Sequence, residues 1–170
     1  INDIRIINVY VPNGSSLISD KFIYKQKWLE CLKKYLEKYA SKNIPICLLG
    51  DFNIAPQDKD IYNPEKYHET VMASSTERNL LHRALGGKLE DAFRIFEPKE
   101  NNWTWWNYRH SSWEKDNGWR IDHIYVTEDI LSCTNSCWID REPRSKDKPS
   151  DHAPVIIDIS WPPAETENEW

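Results

Sequence analysis

Six residues, Ile44-Pro-Ile-Cys-Leu-Leu49, form an apolar run without alternation that stops abruptly at Gly50-Asp-Phe-Asn53. An unalternating run this short is what a strand covered on both faces requires, because side chains on either side of it meet a packed layer. Such strands sit inside sheets flanked by helices or by a second sheet, so the chain is limited to a layered α/β or α+β architecture. The neighbouring segments agree. Residues 4–11 are β-branched and apolar and end at Pro12-Asn13-Gly14, a turn signal. From about Asp20 to Lys42, Trp28, Leu32, Tyr35, Leu36 and Tyr39 recur at spacings of three and four, which predicts an amphipathic helix. Its lysines, Lys25, Lys27, Lys33, Lys34 and Lys38, are read as a solvated face. Residues 54–75 carry Pro56 and Pro64 and are expected to form an ordered loop with one helical turn. Thr76 opens a second helix through Leu80, Leu81, Ala84 and Leu85, and Gly86-Gly87 closes it. Leu89–Phe96 is a short segment, an aromatic region runs from Trp103 to Trp119, and residues 120–127 and 153–159 read as two further strands.

A length of 170 residues fits one domain. Residues 1–163 are assigned to it, leaving 164–170 as an acidic tail. Charged residues make up 29% and hydrophobic residues 39%, as in a soluble globular protein, and no apolar run approaches the roughly 20 residues of a membrane span. The chain opens at Ile1 directly into a strand pattern, as though cut from something longer. Cys31, Cys47, Cys133 and Cys137 lack paired Cys-x-x-Cys spacing and are expected to be reduced thiols of a cytoplasmic protein. A net charge of −5 argues against nonspecific counterion-driven binding of nucleic acid, so any such contact must be local.

Polar chemistry begins where the buried run ends. Asp51 and Asn53 are two apart, so in an extended chain a carboxylate and an amide face one side, suited to a hard cation or a phosphate. A turn in which both side chains bond their own backbone fits the same residues. In Arg120-Ile-Asp-His-Ile-Tyr-Val126 strict alternation puts Asp122 on the face of Ile124 and Val126, and a carboxylate there needs a partner. Lys148-Pro-Ser-Asp-His-Ala-Pro-Val155 offers His152, beside Asp151. An Asp122–His152 pair either fixes an imidazole for catalysis or is simply a satisfied structural pair. Together these groups could polarise a phosphoryl oxygen through a cation, deprotonate water and stabilise an oxyanion. The chain has no Gly-x-Ser-x-Gly and no glycine-rich phosphate loop, which disfavours acyl transfer and nucleotide hydrolysis. Most of the nine tryptophans are expected in packing, but Trp105 and Trp119, with Arg120, are assigned to substrate binding beside the centre.

Asn8-Val-Tyr-Val-Pro-Asn-Gly14, Leu49-Gly-Asp-Phe-Asn-Ile-Ala-Pro56, Thr104-Trp-Trp-Asn-Tyr-Arg109, Asn117-Gly-Trp-Arg-Ile-Asp-His123 and Lys148-Pro-Ser-Asp-His-Ala-Pro-Val155 resemble, in order, motifs of the exonuclease III family of apurinic/apyrimidinic endonucleases. The resemblance implies part of a four-layered αββα sandwich of the DNase I-like kind. It also implies Mg²⁺- or Mn²⁺-assisted hydrolysis of DNA at abasic sites and 3′ ends, by a monomer when full length. On that basis Tyr10 contacts the scissile phosphate, and Asp51 activates water or assists the leaving group. Asn53 binds phosphate, Asp122 orients His152, and His152 contacts phosphate or acts as base. Asp151, with Asp51 and Asn53, lies at the metal, and Trp105 and Trp119 line the abasic pocket. The family's first strands, one carrying an Asn and one ending in a metal-binding Glu, have no counterpart here, so weak metal binding and weak or absent cleavage are expected. Two alternatives remain: a phosphatase or phospholipase of the wider superfamily, and a non-catalytic DNA-binding remnant.

Overall fold

The computed structural model describes residues 3–40 and 42–161; the predicted acidic tail lies outside them. β1 (Arg5–Tyr10) is followed by α1 (Asp20–Ala40) and β2 (Ile46–Asp51). β1 and β2 pair in parallel, as strands joined through a crossover helix must. After β2 come a 3₁₀ turn at Asp58–Asp60, α2 (Pro64–Tyr67) and α3 (Ser75–Leu85). The second helix thus begins one residue before its predicted start, because Ser74 caps it: its side chain accepts from the Glu77 amide, and Glu77 reaches back to the cap. Gly86, in the left-handed region at φ 62°, ends it as predicted. The segment 89–96 resolves into β3 (Glu90–Asp91) and α4 (Ala92–Phe96). Then follow β4 (Asp122–Val126), α5 (Glu128–Ser132), β5 (Thr134–Ile139) and β6 (Val155–Ile159).

Four strands form one sheet in the order β1-β2-β4-β3, and β5 and β6 pair antiparallel as a second. The doubly covered strand is β2, as its unbroken apolar run predicts. On one face Leu29, Leu32 and Leu36 of α1 and Leu81 of α3 pack with Ile46, Leu48 and Tyr125. On the other, Cys47, Ile124 and Val126 pack with Cys137, Val155 and Ile157 of the small sheet. β5 is absent from the sequence-based expectation because Thr134-Asn-Ser-Cys-Trp-Ile139 has only Cys137 fully buried and Trp138 pointing outward, so no apolar alternation announces it. Lys25 overturns a second expectation. It falls on the buried stripe Phe22, Leu29, Leu32, Leu36 of α1 and is 0% exposed, salt-bridged to Glu77 rather than solvated.

Candidate active site

Sheet register places one row of side chains across three strands: Tyr10 of β1 opposes Asp51 of β2, which opposes Asp122 of β4. Residues opposed in register project to one face. Tyr10 and Asp51 are the last residues of the parallel pair, at the carboxyl ends where open sheets place their ligands. His152, from the loop before β6, brings Nδ1 to 2.8 Å from Oδ2 of Asp122. One ligating atom from each of Asp51, Asp122 and His152 lies within 4.8 Å of the others.

The aromatic segment is what joins these elements. Thr104 is fully buried, and its Oγ1 accepts from the backbone amides of Ile121 at 3.0 Å and Asp122 at 3.1 Å. The Thr104 amide donates to the Trp119 carbonyl at 2.9 Å, while its own carbonyl accepts from Ala153 at 2.7 Å. A short ladder therefore carries the His152 loop to the start of β4. Gly50 has a local reason as well. Its φ is +133°, and a Cβ there would lie 2.0 Å from the Val9 carbonyl oxygen, so only glycine lets β2 reach Asp51 beside β1.

Asp51 and Asn53 converge, but not by strand alternation. β2 ends at Asp51, and Asn53 stands in the left-handed region at φ 49°. From there its backbone amide donates to Asp51 Oδ1 at 2.8 Å and its Nδ2 to Asp51 Oδ2 at 3.0 Å. Nδ2 also donates to the Val11 carbonyl at 3.0 Å, and Oδ1 accepts from Asn13 Nδ2 at 3.0 Å. Asn53 is 5% exposed, so its amide orients the carboxylate from within the fold.

Electrostatics separate the acids from their solution behaviour. Burial pushes Asp51 up to about 6, helped by the negative charge of Asp122 and opposed by the Asn53 hydrogen bond. Burial alone would lower the His152 pKa, but the hydrogen bond and charge of Asp122 prevail and hold it above its usual value. Two close carboxylates, one reluctant to ionise beside the other, are a donor set that a hard divalent cation relieves. A cation therefore fits at Asp51 and Asp122, with the His152 ring at their side.

Around this group is a cleft of about 390 Å³ whose walls include Ile124, Pro143 and Val155. A second, of about 580 Å³, is walled by Tyr62, Tyr67, Met72, Trp105 and Trp119. Trp105 links the second cleft to the His152 loop, since its backbone pairs with His152 and its Nε1 donates to Asp151 Oδ2 at 2.9 Å. Asp151 is thereby held by the indole and stands outside the three-residue cluster of Asp51, Asp122 and His152. Tyr10, in the same row, is 67% exposed and borders a shallow cleft with Asn13, Lys21 and Tyr24. Arg120 corrects the expectation placed on it. It is 1% exposed, bonded to Asp60 and Asp91 and in contact with His123 Nδ1 at 3.0 Å, so it is a structural ion-pair residue out of a substrate's reach. Thr104, Asn13 and Lys25 were not assigned from sequence. Only Lys25 left a signal, a charged residue on an apolar helical stripe.

Residues 2–152 match the Endonuclease/Exonuclease/phosphatase family, and the chain belongs to it. Among its relatives is exodeoxyribonuclease III of Haemophilus influenzae, 36% identical over a 160-residue alignment that covers 89% of this chain and 60% of that protein. The chain thus spans about three fifths of the length of that curated relative. Its fold is that of the 3′ phosphatase NExo from Neisseria bound to a product DNA hairpin, with a TM-score of 0.91, 38% identity, and coverage of 95% of this chain and 63% of the other. An AP endonuclease from Archaeoglobus fulgidus gives a TM-score of 0.87 at 33% identity, covering 92% and 62%. The architecture is therefore that of the DNase I-like nucleases. No described helix is long and apolar enough to cross a membrane.

Proposed function

We propose that this chain carries the acid–histidine part of a DNA-repair phosphodiesterase that hydrolyses phosphoesters at abasic sites and 3′ ends with Mg²⁺ or Mn²⁺. The observation that carries the reading is the convergence of Asp51, Asp122 and His152 within 4.8 Å in the cleft of about 390 Å³ that all three line. The names of the relatives support it, including exodeoxyribonuclease III and an AP endonuclease. The 3′ phosphatase relative adds terminal 3′-phosphates as a substrate class.

Asp51 and Asp122 would hold the cation, which when bound supplies charge neutralisation and a Lewis acid for a phosphoryl oxygen. Asp51, oriented on both oxygens by Asn53, accepts a proton from the attacking water. Asp122 accepts from Nδ1–H of His152 and favours the charged imidazolium, whose Nε2–H donates to a phosphate oxygen. Tyr10, at the exposed end of the row, contacts the same phosphate, and Asp151 tunes the imidazole through its charge. Trp105 and Trp119 form one wall against which an unstacked nucleotide packs. The cluster among the described residues offers a cation two carboxylates and an imidazole, which leaves most of an octahedral shell to water and substrate phosphate, and on this reading the 170-residue chain binds metal weakly and cuts slowly. The unpaired thiols suit a reducing, cytoplasmic compartment.

Single-turnover incision of an abasic duplex by excess chain tests this. EDTA should abolish incision, and His152→Asn should slow it about 100- to 1,000-fold, the range of one lost hydrogen-bond donor to developing negative charge. Variants of Asp51 and His152 that cut at the unsubstituted rate would sink the proposal.

A further inference from the structure

Lys25 occupies a place where a helix facing a core would ordinarily carry leucine. It lies between Phe22 and Leu29 on the buried stripe of α1 and is completely buried, as is its partner Glu77. An ammonium has three donors, and here each has one acceptor: the Asn13 carbonyl at 3.1 Å, the Asn53 carbonyl at 2.7 Å and Oε1 of Glu77. Glu77 is equally committed. Oε1 also accepts from the Met72 amide at 3.0 Å, and Oε2 accepts from the amide and hydroxyl of Ser74. The carboxylate that caps α3 is therefore the counter-ion of Lys25 as well.

Stability by itself does not account for such a pair, because replacing a buried ion pair with well-packed apolar residues is often neutral or favourable. What the pair does do is fasten two loops that bear directly on the candidate site. One is the Pro12-Asn13-Gly14 turn after β1, where Gly14 leaves room for the lysine stem: a Cβ there would lie 3.3 Å from Lys25 Cδ. The other is the turn after β2, which holds Asn53 at φ 49°, a conformation a non-glycine residue keeps only when its surroundings enforce it. Asn13 and Asn53, whose carbonyls Lys25 grips, also bond each other side chain to side chain at 3.0 Å. Asn53 then orients both oxygens of Asp51. An unbroken hydrogen-bonded path runs from the start of α3 through Glu77, Lys25 and Asn53 to Asp51.

We infer that Lys25 and Glu77 are positioning residues, whose buried pair sets the geometry of Asn53 and Asn13 around Asp51. The inference rests on the proposed nuclease reading only for its catalytic consequence. The geometric part is tested by nitrogen-15 NMR of the side-chain amides of Asn13 and Asn53 in the 170-residue chain. Lys25→Met and Glu77→Gln should displace both amide signals, whereas Ile130→Ala, a truncation of a buried α5 residue that packs in the other core cluster with Cys47, Ile124 and Val126, should leave them in place while lowering the melting temperature. In the abasic-duplex assay the same two variants should lower kcat about 10- to 100-fold, the usual scale for residues that orient a metal-site ligand, with KM little changed. Signals unmoved in Glu77→Gln, or moved equally by Ile130→Ala, overturn the inference. If Lys25→Met does not fold, the isosteric Glu77→Gln decides. If the unsubstituted chain does not incise DNA, the nuclease reading fails and the amide signals alone judge the brace.

Discussion

At the residue scale, the candidate site is defined by two groups whose protonation differs between the folded and unfolded chain. Asp51 keeps its proton up to about 6 in the fold, because burial and the Asp122 charge oppose ionisation, whereas its ordinary value is 3.8. Between those values the folded state binds more protons than the unfolded one, so the contribution of Asp51 to stability falls as pH rises through the window. His152 has the raised pKa of an imidazole bonded to a carboxylate. Its stabilising pair with Asp122 is fully present below the ordinary histidine value and is lost as pH rises through the elevated one. Thermal melts of the metal-free chain between pH 4 and 7 should show the first effect as a slope that Asp51→Asn removes. An identical pH profile for that variant would mean that Asp51 is not the titrating group.

At the scale of elements, the stretch from the 3₁₀ turn to β4 is fixed by a buried ion cluster. Asp60 is fully buried and pairs with Arg120 at 2.7 Å and with Arg94, while Arg120 also pairs with Asp91 at 2.7 Å. The Arg120 amide donates to the Asp60 carbonyl at 2.9 Å, so both backbone and side chain tie the turn to the residue two before Asp122. Asp60→Asn leaves two guanidinium groups without a full counter-charge in a dry site, and breaking such a pair costs about 3–5 kcal/mol. Urea unfolding should register that loss as a lower midpoint with an unchanged slope. A change under about 1 kcal/mol would show that the cluster is not dry.

At the scale of the whole molecule, the two sheets overlap only in part. The small sheet packs against Cys47, Ile124 and Val126. Ile6, in register with Cys47 on the same face, is 49% exposed. With Tyr10 it gives β1 an uncovered apolar side, the kind of surface that self-associates. The purified 170-residue chain should therefore sediment as concentration-dependent oligomers, and Ile6→Lys should shift it toward monomer without lowering its melting temperature. A monodisperse monomer at high concentration would count against an exposed face. How much of this was legible in advance depends on the kind of signal. β2 declared itself through an unbroken apolar run, α1 and α3 through their spacing and glycine cap, and Asp122 through a carboxylate on an apolar face. β5 carried no periodic signal, and Arg120 was assigned to substrate binding because its ion-pair partners, Asp60 and Asp91, are 60 and 29 residues away and invisible to a local pattern. The sequence by itself determined which residues have chemistry to offer, since residue type and alternation are local properties. Only the tertiary structure decided which of them meet: a hydrogen bond such as that between Asp122 and His152, or between Lys25 and Asn53, depends on register between distant strands and on which charges become buried, and no local pattern encodes either.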